Sequence, residues 1–122
     1  AYEISLGLVG SEMCIRDRTN GVSSITSAAN ITIPSLIFSG SQDGVTPPNV
    51  HHIPIYESLN SDFKTFISII GGGHCYFSNP SFTCDFGENV SSSGISLTRQ
   101  EQQAITYYFL NFWLNFIHLF NS

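Results

Sequence analysis

An acid and a histidine each stand just past an apolar, strand-like run. Asp43 follows Ile33-Pro34-Ser35-Leu36-Ile37-Phe38-Ser39-Gly40-Ser41-Gln42, and His74 follows Phe66-Ile67-Ser68-Ile69-Ile70-Gly71-Gly72-Gly73, 31 positions later. An acid that holds a histidine ring in one tautomer, and a histidine that moves a proton to and from a nucleophile, are two members of a nucleophile–base–acid triad. Such an acid must sit on a fixed turn, and such a base must ride a loop above the sheet. Gly71 to Gly73 let the backbone turn there without side chains in the way. Taken alone, Asp43 in Gln42-Asp43-Gly44 is an ordinary turn former and His74 an ordinary capping or core histidine. Their joint placement at the ends of successive strands favours the catalytic reading.

No Gly-x-Ser-x-Gly occurs in the 122 residues. Ser23 and Ser24 follow Gly21 but lack a preceding strand and a second glycine, and Ser96 comes after His74. None is assigned as the nucleophile. Cys75 and Cys84 flank the start of the segment after His74. They fit a disulfide beside the histidine, two reduced thiols, or, together with His74 and Asp85, a metal site. The spacing matches no paired Cys-x-x-Cys zinc pattern, so no metal is expected. A disulfide is predicted, because the segment has little else to restrain it. Tyr76 and Phe77 are candidates for lining a substrate pocket, with packing of the loop as the equal alternative. His51 and His52 fall on the connection between the strands, where they are expected to be surface residues.

The elements that must position these residues follow from the pattern. Ser35–Ser39 and Lys64–Ile70 are short apolar runs bounded by Pro and Gly, as strands buried on both faces of a parallel sheet are. Between them, Val50, Ile53, Ile55, Tyr56 and Leu59 recur at roughly helical spacing, with Pro54 kinking that helix or beginning its second half. Residues 75–94 read as a long irregular segment. Thr98-Arg99-Gln100-Glu101 is a capping box. It opens a helix to about Leu119, with Ile105, Phe109, Phe112, Trp113, Phe116 and Phe120 on one apolar face. Strand, helix, strand, loop, helix predicts an α/β architecture. Ligands in such sheets bind beyond the carboxyl ends of the strands, where Asp43 and His74 lie.

The charge and length set bounds. A net charge of −5, with scattered basic residues, argues against a nucleic-acid partner. No run of 18 or more apolar residues occurs, so no membrane span is predicted. The chain is one domain at most. It begins at Ala1 and its only Met is Met13, as a reading frame cut at its front would. Tyr2-Glu3-Ile4-Ser5-Leu6-Gly7-Leu8-Val9-Gly10-Ser11-Glu12-Met13-Cys14-Ile15-Arg16-Asp17-Arg18 resembles translated sequencing-adapter DNA. Residues 1–18 are therefore read as a non-native leader and 19–122 as the folded portion, with Lys64 and Arg99 against six acids.

The strand and loop Ile33 to Asp43, continued by Val45-Thr46-Pro47-Pro48, resemble the acid-bearing strand and loop of α/β-hydrolases. The similarity is strongest to the dienelactone-hydrolase, chlorophyllase and polyester-hydrolase-like branch. Gly72-Gly73-His74 followed by Cys75-Tyr76-Phe77 resembles the histidine loop of the same branch. The resemblance spans about Ile31 to Phe120. It implies the C-terminal part of a doubly wound, mostly parallel sheet with flanking helices. It also implies Asp43 as triad acid, His74 as base, and a serine nucleophile upstream in the order Ser, Asp, His. The implied activity is carboxylic-ester hydrolysis on a small-molecule or polymeric substrate, without metal or organic cofactor. A non-catalytic hydrolase-like binding domain, or an amidase or peptidase of the same fold, is the alternative. A secreted or periplasmic location fits the disulfide and the Ser- and Asn-rich composition, with a cytoplasmic one as the alternative.

Overall fold

A computed structural model describes residues 24–120, and the leader assigned to residues 1–18 lies outside them. A helix whose described part covers 24–28 (α1) leads into strand β1, Ser35–Gly40. Helix α2, His52–Ser58, connects it to strand β2, Lys64–Ile69. A single 3-10 turn, Cys75–Phe77, then precedes helices α3, Phe82–Ser91, and α4, Arg99–Phe120.

The two strands are parallel, in register from Ser35 opposite Lys64 to Gly40 opposite Ile69. Parallel neighbours need a crossover, and α2 supplies it. The α/β class expected from the sequence is therefore present. Pro54 is the third residue of α2, in the first turn, where a backbone amide has no intrahelical partner to lose. It helps begin the helix and does not kink it. Lys64, the only lysine of the chain, closes the other end of α2. Its ammonium donates to the carbonyls of Tyr56 (3.0 Å) and Leu59 (3.1 Å) and lies 4.9 Å from the centre of the Tyr56 ring. A cation there offsets the negative end of the helix dipole.

One face of the sheet is closed by α1 and α2. Ala28, Ile55 and Leu59 form a buried cluster, with Ile25, Ile31, Ile37 and Tyr56 packed against it. Helix α4 lies against β2 through Trp113, which is buried and donates its indole N–H to Thr65 Oγ1 at 3.1 Å. Phe63 stacks on Phe116. The capping box forms: Glu101 N–H donates to Thr98 Oγ1 (3.1 Å), and Thr98 N–H donates to Glu101 Oε2 (2.8 Å). The predicted apolar face of α4 is present, but only Trp113 of it is buried. Phe112 and Phe120 are exposed, and an apolar groove of about 310 Å³ stays open between Phe63, Thr65 and Ile67 on one side and Phe109, Phe112, Trp113 and Phe116 on the other. No helix among the described residues is long and apolar enough to cross a membrane.

Residues 75–94 are not the irregular segment that the sequence suggested. They contain the 3-10 turn and α3. Ser81 caps α3 by accepting from Cys84 N–H, and Asp85 sits in its first turn. Thr83, Gly87 and Val90 are weak helix formers, which hid the element. The Cys75–Cys84 disulfide and the bond from His74 N–H to Glu88 Oε1 hold it.

Candidate active site

The two strand ends are tied together before either loop begins. Ser41 N–H donates to Ile69 O (3.0 Å) and Gln42 N–H to Gly72 O (2.9 Å), so the loop after β1 is laid against the loop after β2. Gly71 turns the chain with φ of 79°, which an L side chain rarely adopts. Asp43 and His74 thereby meet.

Asp43 Oδ1 accepts from the amides of Val45 (2.9 Å) and Thr46 (2.8 Å). Asp43 Oδ2 faces His74 Nδ1 (2.9 Å) and accepts from Thr46 Oγ1 (3.0 Å). An ionised carboxylate offers about four lone-pair sites, and all are used. Asp43 is thus both the turn former and the partner of the histidine. It is buried, at 4% exposure. Burial alone would raise its pKa, but the hydrogen bond and positive charge of His74, with the amide and hydroxyl of Thr46, outweigh that and hold it below 3.8. With Asp43 on Nδ1, the nitrogen of His74 suited to exchange a proton with a nucleophile is Nε2.

The histidine loop is clamped from behind. The Gln102 side chain accepts from Gly73 N–H and donates to Gly73 O, both at 2.9 Å, and is fully buried. Glu88 Oε1 accepts from His74 N–H at 2.7 Å. A Cβ at position 73 would run into the Glu88 carboxyl, so the glycine is what lets α3 come this close. Glu88 is 1% exposed, and its Oε2 has no hydrogen-bond partner among the described residues. Burial raises its pKa, partly offset by the His74 amide and reinforced by the charge of Asp43.

Cys75 and Cys84 form a disulfide with Cα atoms 5.9 Å apart, joining the residue after His74 to the first turn of α3. The bond takes both sulfurs out of any metal-binding role as thiolates. Asp85, the other ligand considered with them, is paired with the Arg99 guanidinium. Arg99 also lies over the Tyr76 ring, 4.9 Å from its centre, and donates weakly to Cys75 O (3.5 Å). Phe77 packs against Phe38. Tyr76 and Phe77 thus make packing contacts of the kind named as the alternative to a pocket.

His52 departs from expectation. It is not a surface residue: its side chain is 12% exposed. Nδ1 lies 2.7 Å from Ser39 Oγ, and Nε2 lies 3.0 Å from Thr46 Oγ1. Its position on the first turn of α2 aims it back over the end of β1, which spacing alone does not reveal. Thr46, Glu88 and Gln102 were also not singled out. For Thr46 a signal existed, since an Asp in a turn commonly accepts from backbone amides further along it, here those of Val45 and Thr46. Glu88 and Gln102 come from distant elements and carried no local signal.

No curated protein matches the chain. Among solved structures, a monoacylglycerol lipase from Paleococcus ferrophilus is similar at 27% identity over 54% of this chain, with a TM-score of 0.40. The chain spans 25% of that protein's length. The family model described as PETase, PET hydrolase-like, matches residues 22–100, which include both strands, Asp43, His74 and the disulfide. More than half of the sequence falls within that match, and the chain belongs to the PET hydrolase-like family.

Proposed function

We propose that this chain supplies the acid and base of a serine-type ester hydrolase. The observation that carries the reading is the 2.9 Å contact between Asp43 Oδ2 and His74 Nδ1 at the carboxyl ends of adjacent parallel strands. In the reaction, His74 Nε2 takes the proton of a serine hydroxyl as the oxygen attacks the ester carbonyl. It then returns the proton to the leaving alcohol, and in the second half activates the water that hydrolyses the acyl-enzyme. Asp43 stays ionised, orients the ring and offsets the charge that forms on it. The nucleophile and the oxyanion amides belong to a part of the protein preceding the described residues. Family membership supports the choice of a carboxylic ester as substrate. The disulfide supports an oxidising compartment, in keeping with a secreted or periplasmic protein.

The test is ester turnover by the complete protein, nucleophile-bearing segment included, on a p-nitrophenyl ester. The expected result is burst kinetics from an acyl-enzyme, with turnover lost in His74→Ala. Turnover that survives His74→Ala would refute the assignment.

A further inference from the structure

Two histidines approach Asp43, and only one touches it. His74 Nδ1 is within hydrogen-bond reach, whereas His52 Nε2 is 3.7 Å from Oδ2. Between His52 and the acid stands Thr46 Oγ1, 3.0 Å from His52 Nε2, from Asp43 Oδ2 and from His74 Nδ1. A hydroxyl has one proton to donate and two lone pairs to offer. Which neighbour receives that proton decides how the acid is presented to His74.

We propose that His52 is a positioning residue for Asp43: held as the Nε2–H tautomer by the buried Ser39 hydroxyl, it fixes Thr46 so that the threonine proton goes to the carboxylate that orients His74. Two observations carry the tautomer. Ser39 is fully buried, and His52 Nδ1, at 2.7 Å, is the one partner of its hydroxyl among the described residues. Were Nδ1 protonated, the Ser39 hydroxyl could only accept from it, and its own hydrogen would have no acceptor among the described residues. Buried polar groups in native proteins are rarely left so. Second, if Thr46 gave its proton to His52, its lone pairs would face Asp43 Oδ2 at 3.0 Å, two acceptors against each other. The arrangement that satisfies every group is Ser39 to His52, His52 to Thr46, and Thr46 to Asp43, with His74 donating to the same carboxylate oxygen.

The arrangement has a consequence for His74. Thr46 Oγ1 is as close to His74 Nδ1 as hydrogen bonds commonly are, so an unoccupied lone pair there would compete with Asp43 for the Nδ1 proton. The His52 N–H takes one of the two lone pairs of that oxygen and so weakens the competition. His52 acts on the acid through Thr46.

The role rests on the proposed function, but its test reads protons and not turnover. The complete protein, with 15N-labelled histidine, is studied by long-range imidazole 15N–1H correlation near neutral pH. His52 is expected as Nε2–H and His74 as Nδ1–H, with a downfield Nδ1 proton. Ser39→Ala should release the lock and let His52 populate both tautomers. Thr46→Val and His52→Leu should each shift the His74 Nδ1 proton, and Thr46→Ser, which keeps the hydroxyl, should leave it near its original position. A wild-type His52 in the Nδ1–H form, or a His74 proton unmoved by both Thr46→Val and His52→Leu, would overturn the inference. An active enzyme with the wrong tautomer sinks this inference alone. An inactive protein with the expected tautomers sinks the proposed function alone.

Discussion

The carboxyl ends of the strands and the apolar face of α4 are built on opposite terms. At the strand ends, Asp43 accepts from three backbone or side-chain donors of its own turn and meets His74, while the loop bearing His74 is held by Glu88, Gln102 and a disulfide. Along α4, Trp113 is buried and its apolar neighbours border an open groove. Directional bonds can fix a site within a short stretch of chain, because each donor needs one acceptor at one place. Apolar packing has no such address and depends on how much area is covered. The polar region should therefore respond sharply to single atoms, and the apolar face only where it is already covered.

The sharpest break should come at Asp43. In the complete enzyme, Asp43→Asn should lower kcat by as much as ~10⁴-fold, because an amide can hold the ring in the wrong tautomer. His74→Ala should cost at least as much, since the general base is removed. Ester turnover under saturating substrate measures both.

The next effect tests the covered part of the apolar face. Trp113→Ala should destabilise the protein by about 3 kcal/mol in denaturant unfolding, near the low end for a buried tryptophan, since the open groove lets the site relax. Phe112, bordering the same groove but 65% exposed, should tolerate Ser within about 0.5 kcal/mol. Equal losses at the two positions would show that the groove is closed in the complete protein.

Opening the Cys75–Cys84 bond in a Cys75→Ser, Cys84→Ser protein should cost roughly 2–3 kcal/mol by the loop-entropy model. The loss should fall on the histidine loop, read as faster hydrogen exchange at His74 and in α3.

The smallest effect is in the pH dependence of stability, and it has opposite signs at the two buried carboxyls. Asp43 has a lowered pKa, so its contribution is present above about 3.8 and is lost as pH falls through the lower folded value. Glu88 has a raised pKa, so its contribution is present below about 4.5 and is lost as pH rises through the higher folded value. Glu88→Gln should therefore gain on the wild type as pH rises above about 4.5. Unfolding midpoints across that range check the sign.

The two regions also differed in how much the sequence disclosed. Asp43 and His74 were readable because a strand end is a fixed address and both residues carry a reactive group. Thr98 and Glu101 were readable because a capping box is local. Helix α3 was not, because Thr83, Gly87 and Val90 argue against it and the bonds that hold it come from Cys75 and His74, outside its own span. His52 reads as a surface residue in the sequence because its register on α2 depends on how the Pro47-Pro48 turn enters the helix. The α4 periodicity identified the apolar face correctly and was silent on how much of it is covered.

The central claim is that Asp43 and His74 work as one unit, and a double-mutant cycle on ester turnover tests it most directly. With the complete enzyme, kcat is measured for the wild type, Asp43→Asn, His74→Ala and the double variant. The account predicts that the double variant is scarcely slower than His74→Ala alone, because members of a triad fail together. Losses that multiply would contradict it, showing two residues that lie 2.9 Å apart and act independently.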